Sequence, residues 1–145
     1  MIAIGCDHGG FELKGHIMEH LKEKGIEFKD YGTYSEASVD YPDCAKPVCE
    51  AVQNGTAERG ILICGTGIGI SIAANKYKGI RAALCSDVYS AKMSKQHNNA
   101  NIICLGGRVT GRELAFMIVD TWLETEFEGG RHENRIAKIH AAEGC

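Results

Sequence analysis

The chain lacks a basic run, and its formal net charge is -3, which argues against nucleic acid as the main partner. It lacks any apolar stretch near the roughly 20 residues that a membrane helix needs. Its first residues, Met1-Ile2-Ala3-Ile4-Gly5, carry neither a basic region nor a cleavage signal, so they read as a strand and not as a leader. None of its seven cysteines forms a C-x-x-C pair. An odd count without an export signal predicts reduced thiols in a cytosol. The glycine-rich stretch Gly65-Thr66-Gly67-Ile68-Gly69 lacks the third glycine or alanine of a dinucleotide fingerprint, because residue 70 is Ile70. It also lacks the Gly-Lys-Ser/Thr that completes a P-loop.

What is present describes one ordinary globule. The chain has 145 residues, 44% hydrophobic and 24% charged, enough for a single domain with its own core. Strand-like and helix-like stretches alternate along it. Strands are expected at Ile2–Cys6, Ile26–Lys29, Gly60–Cys64, Ile80–Leu84 and Asn101–Leu105. Helices are expected at Phe11–Lys24, about Asp43–Gln53, Gly69–Lys76, from an N-cap at Ser86 to about Gln96, Thr110–Glu126 and Arg131–Ala142. Repeated β-α-β predicts a three-layer α/β/α sandwich, Rossmann-like, around a five-stranded parallel sheet. In the helix after Thr110, Leu114, Met117, Ile118 and Trp122 form one apolar stripe, and Phe116, Val119 and Leu123 form a second. Two stripes predict burial on two sides, one against the sheet and one against a second copy of the chain.

Ligands of an open parallel sheet gather outside the carboxyl ends of its strands. Three segments at those ends are polar or glycine-rich: Asp7-His8-Gly9-Gly10, Cys64 to Gly69, and Gly106-Gly107-Arg108. Cys64 ends an apolar strand and opens the glycine turn, where backbone N–H groups favour a thiolate or hold an oxyanion. The alternative is a buried structural thiol. Asp7-His8 either bonds a sugar or phosphate, or caps the following helix with His8 in solvent. Arg131 and Arg135 are four apart on one helix face and either clamp a phosphate or sit in solvent beside glutamates. Arg108, beside Gly106-Gly107, is a third candidate anion ligand. His97-Asn98 ends a helix just before the last strand, at the amino edge of the sheet; a catalytic His97 therefore has to serve a neighbouring subunit, and otherwise it caps a helix. Cys6, Cys64, Cys85 and Cys104 all fall near strand ends, as a four-thiolate zinc site or as small buried hydrophobes.

These residues together resemble the type B ribose-5-phosphate isomerase family, within the wider group that includes galactose-6-phosphate isomerase. The matching motifs are Gly5-Cys6-Asp7-His8, Asp40-Tyr41-Pro42, Ile61 to Ser71, Ser94-Lys95-Gln96-His97-Asn98, Gly106-Gly107-Arg108, and Glu128-Gly129-Gly130-Arg131-His132 with Arg135. The resemblance spans essentially the whole chain. It implies interconversion of ribose 5-phosphate and ribulose 5-phosphate, a step of the pentose phosphate pathway, with no metal and no organic cofactor. It implies Cys64 as the base that moves a proton between C1 and C2. Backbone N–H groups from Gly65, Thr66, Gly67, Ile68 and Gly69 would hold the enediolate, which makes Thr66 part of the catalytic turn. His97 of a partner subunit would assist ring opening, while Asp7 and Tyr41 contact the sugar or shuttle protons. His8, Arg131 and Arg135 would bind phosphate, with Asn98 and Arg108 coming from the neighbour. One branch of the family uses a later glutamate instead of the cysteine; that position is Ile70 here, so Cys64 alone can serve. The implied assembly is a cytoplasmic homodimer with shared sites, or a pair of such dimers. Cys6 and Cys85 are expected to add thiols near the site. The rival functions are isomerisation of a six-carbon sugar phosphate, such as galactose or allose 6-phosphate, and non-catalytic phosphosugar binding.

Overall fold

A computed structural model describes residues 1–144. Its strands are β1 (Ile2–Cys6), β2 (Phe28–Asp30), β3 (Arg59–Cys64), β4 (Ala82–Leu84) and β5 (Ile102–Gly106). Its helices are α1 (Phe11–Glu23), α2 (Tyr41–Gln53), α3 (Ile68–Ala74), α4 (Val88–Gln96), α5 (Arg112–Glu124) and α6 (Arg131–Glu143), with a 3₁₀ turn at His8–Gly10. All strand pairings are parallel, in the order β2-β1-β3-β5-β4.

Strand side chains alternate between two cores, as the pleat requires. Ile4, Ile61, Ile63, Ile103 and Leu105 face α1, α4 and α5 on one side. Ala3, Leu62, Ile102 and Cys104 face α2 and α3 on the other. The expected three-layer sandwich is therefore the observed one. Its central strands, β1, β3 from Gly60 onward and β5, are buried and without charged residues along their length because both faces are covered.

Four local expectations change. Helix α2 begins at Tyr41, because Pro42 fits the unpaired first turn of a helix. The cap of α4 is Asp87 and not Ser86, since Asp87 accepts from the Ser90 N–H at 2.7 Å and the Ser90 hydroxyl at 2.8 Å. Strands β2 and β4 are shorter than expected, at three residues each. In α5 the buried face is Ala115, Ile118, Val119 and Trp122. Phe116 and Leu123 flank that same core, while Leu114 and Met117 are exposed. The two expected stripes thus resolve into one wide core face and a small open apolar patch.

Candidate active site

The chain leaves β1 toward β2 on one side and later places β3 on the other. The crevice where strand order reverses lies at the carboxyl ends of β1 and β3. There the three expected segments meet, backbone against backbone. A Cβ on Gly9 would lie 2.8 Å from the Gly65 nitrogen, and one on Gly107 would lie 2.5 Å from the Gly9 carbonyl oxygen. Hydrogen bonds from the Gly107 N–H to the Cys64 carbonyl (2.8 Å) and from the Arg108 N–H to the Gly65 carbonyl (3.0 Å) join the β3 and β5 ends.

Cys64 stands where β3 ends. It is 5% exposed, and its Sγ accepts the Gly67 N–H at 3.1 Å. Thr66 is exposed, and its Oγ1 accepts the Ile68 N–H at 3.2 Å. Helix α3 opens at Ile68, so N–H groups of its first turn have no helical acceptor and belong to this turn. Ile70, at the alternative base position, is completely buried. The Tyr41 ring packs on Gly69, where a Cβ would lie 2.6 Å from the tyrosine Cζ.

Asp7 is buried, and its Oδ1 accepts the Gly9 N–H at 2.8 Å, so it does cap the turn after β1. His8 Nδ1 accepts the Val39 N–H at 3.2 Å, which puts the proton of the neutral imidazole on Nε2. His8 and Arg108 line one cleft of about 630 Å³, with Glu36 and Arg112 also on its wall. Cys64 is not on that wall; its open edge lies at the adjoining glycine turn.

His97 and Asn98 lie at the other edge of the sheet, as expected. His97 is the C-cap of α4 and precedes β5, whose five residues span roughly 15 Å. The His97 ring stacks on His132 with centroids 4.3 Å apart, and the Glu128 N–H donates to the Gln96 carbonyl at 2.9 Å. Those contacts dock the start of α6 on the end of α4. Burial holds the His132 imidazole below its ordinary range, and His97, Arg131 and Arg135 push the same way. Arg131 and Arg135, both exposed, therefore keep company with His97 and Asn98. The expected grouping changes accordingly. Arg108 belongs with His8 and Cys64 in its own chain, and Arg131 and Arg135 stand on the His97 side, remote from their own His8.

The four-thiolate zinc reading fails on geometry. Cys6 and Cys85 fall in one core and Cys64 and Cys104 in the other, on opposite faces of the sheet. Burial pushes Cys6 up to about 12 and Cys85 up to about 11. These two are inert core residues and not extra reactive thiols. Cys145 lies outside the described residues.

Two positioning side chains escaped the sequence reading. Lys14 is 1% exposed and bonds Asp30 at 2.6 Å and the Thr33 carbonyl at 2.5 Å, which pins the loop that reaches His8. Arg81 donates to the Asn98 carbonyl at 3.1 Å, the Asn99 carbonyl at 2.9 Å and His140 Nε2 at 2.8 Å, which fixes the turn after His97. Their partners are distant in sequence, so no local spacing marks them.

Residues 2–139 match the family described as Ribose/Galactose Isomerase. The chain is 56% identical over 142 residues to ribose-5-phosphate isomerase B of Escherichia coli (strain K12), covering 98% of this chain and 95% of that protein. It superposes on the ribose-5-phosphate isomerase B structure from Clostridium thermocellum with a TM-score of 0.98 at 57% identity, covering 99% and 97% of the two chains. It superposes on that from Mycoplasma genitalium, solved with bound ribulose-5-phosphate, with a TM-score of 0.93 at 46% identity, covering 99% and 95%. With the family match over nearly the whole chain and near full-length relatives at this identity, the chain belongs to the Ribose/Galactose Isomerase family.

Proposed function

We propose that this chain interconverts ribose 5-phosphate and ribulose 5-phosphate at a site shared between two subunits. The observation that carries the reading is the Cys64 sulfur facing the Gly67 N–H inside a turn walled by glycine backbones. Cys64 takes the proton from C2 of the open-chain aldose. The freed electron pair forms the C1–C2 double bond and moves negative charge onto O1, where N–H groups of residues 65–69 hold it. Returning the proton to C1, with transfer of the O2 proton to O1, gives the ketose. Asp7, Thr66 and Tyr41 border this step and orient the hydroxyls.

The phosphate is held by His8 and Arg108 of one chain and by Arg131 and Arg135 of the partner chain, through charge-assisted bonds. The partner chain also brings its His97 to the ring oxygen for ring opening, with Asn98 beside it. A dimer that faces the carboxyl edge of one sheet with the amino edge of the other satisfies both groups at once. The exposed apolar side chains Ile68, Ile72, Leu84, Leu114 and Met117 supply surface for such contacts. The six described cysteines are all unpaired, which fits a cytosolic setting. Among the described residues no helix is long and apolar enough to cross a membrane.

The test compares wild type and Cys64→Ala on ribose 5-phosphate in D₂O. Wild type should incorporate solvent deuterium into the sugar as it isomerises. The variant should lose roughly 10²- to 10⁴-fold in kcat yet bind the sugar phosphate nearly as well. Full activity in the variant contradicts the proposal. Galactose 6-phosphate and allose 6-phosphate, assayed alongside, rank five- against six-carbon substrates by kcat/KM.

A further inference from the structure

At the amino edge of the sheet, three metal-ligating side chains share one small volume. His97, Glu128 and His132 place one ligand atom each within 4.8 Å of one another. His132 is 5% exposed, and its Nε2 is enclosed without any hydrogen-bond partner. Buried imidazole nitrogens are rarely left unpaired, so an orphan of this kind calls for an explanation. Its neighbour is the Glu128 carboxylate at 3.9 Å, beyond hydrogen-bond reach. The backbone already ties the three together through the Glu128 N–H on the Gln96 carbonyl (2.9 Å) and the His132 N–H on the Gly129 carbonyl (3.2 Å). Two imidazoles and a carboxylate form a donor set suited to zinc and similar dications, with a fourth position left for water.

We propose that His97, Glu128 and His132 bind a dication of the zinc class, and that this binding inhibits the isomerase. The nitrogen lone pairs of both imidazoles and one carboxylate oxygen become the metal bonds. With its lone-pair nitrogen on the metal, His97 keeps only a neutral N–H, which cannot take up a proton and gives one to the sugar far less readily than an imidazolium does. Bonds of about 2.0–2.2 Å require the donors to draw closer than they stand here. Exposed Glu128 and half-buried His97 make that movement, with His97 leaving its stack on His132. Arg131 and Arg135 nearby oppose the cation, so the site is suited to reversible occupancy and not to a permanent structural metal. The inhibition rests on the reading that His97 acts on substrate; the metal binding does not.

The experiment has two arms. Co²⁺ is titrated into the assembled Cys64→Ala protein, which removes the competing thiol of the isomerase site. One Co²⁺ per chain should give four-coordinate visible absorption without a sulfur-to-cobalt band, and Glu128→Gln and His132→Gln should each abolish it. In the second arm, Zn²⁺ should inhibit wild-type isomerisation reversibly, with recovery on chelation. Glu128→Gln should keep the metal-free activity and need at least about tenfold more Zn²⁺ for half inhibition. Absence of the cobalt signal overturns the site. Equal Zn²⁺ sensitivity in Glu128→Gln and wild type overturns its role in inhibition. Cobalt binding at the three residues without Zn²⁺ inhibition overturns the inhibitory half and contradicts the role of His97, while Cys64 as base would stand.

Discussion

Gly67 carries two duties at one position. Its φ is +80°, and a Cβ there would lie 2.5 Å from Leu84 Cδ1 and 2.8 Å from the Leu105 carbonyl carbon. Its N–H is also the donor to Cys64 Sγ. Gly67→Ala should therefore cost at least about 1–2 kcal/mol in urea unfolding and lower kcat with it. An alanine variant with wild-type stability would contradict the strained turn. The remaining thiols give a second check. Burial raises Cys6 and Cys49 to about 12, Cys85 to about 11 and Cys104 well above its ordinary value. Iodoacetamide at mildly alkaline pH should leave all four unlabelled in the native protein, by peptide mass mapping. The Cys64 turn was legible because an apolar run ends abruptly in glycines. Lys14 and Arg81 were not, because ion pairs and carbonyl contacts across 16 to 59 positions leave no mark on local spacing.

The helices repeat this contrast. Helix α5 was legible as an apolar helix, but which side faced the sheet was not, since sequence period does not orient a helix against its neighbours. Trp122 decides it: the side chain is fully buried, and its indole N–H donates to the Ala100 carbonyl at 3.0 Å. Trp122→Ala should destabilise the fold by about 3–5 kcal/mol in urea melts, whereas Met117→Ala on the exposed side should change monomer stability little. The cap of α4 adds a pH dependence. Hydrogen bonds from the Ser90 N–H and hydroxyl hold Asp87 below its ordinary carboxylate range. A folded-state value below the unfolded one gives stability that is fully present above the unfolded value of about 3.9 and lost as pH falls through the folded value. The Tm difference between wild type and Asp87→Ala should be full near neutral pH and shrink in acid. A difference that grows in acid would contradict the capping account.

For the whole molecule, alternating strand and helix signals were enough to give a parallel three-layer sandwich, and the family resemblance agreed with it. The order β2-β1-β3-β5-β4 was not readable, because any covered parallel strand looks alike in sequence. That order sets β1, β3 and β5 side by side, so the segments that leave their carboxyl ends meet. Arg108 thereby joins His8 at the carboxyl edge, while the docking of α6 on the end of α4 joins Arg131 and Arg135 to His97 at the amino edge, so neither edge alone holds the complete proposed set. The most direct measurement is subunit complementation between Cys64→Ala and His97→Ala, each inactive alone. After verified subunit exchange in a 1:1 mixture, half of the dimers are mixed, and each mixed dimer rebuilds one of its two sites. The mixture should recover about a quarter of wild-type isomerase activity. Activity no greater than that of the separate variants, with exchange demonstrated, would contradict a site shared between subunits.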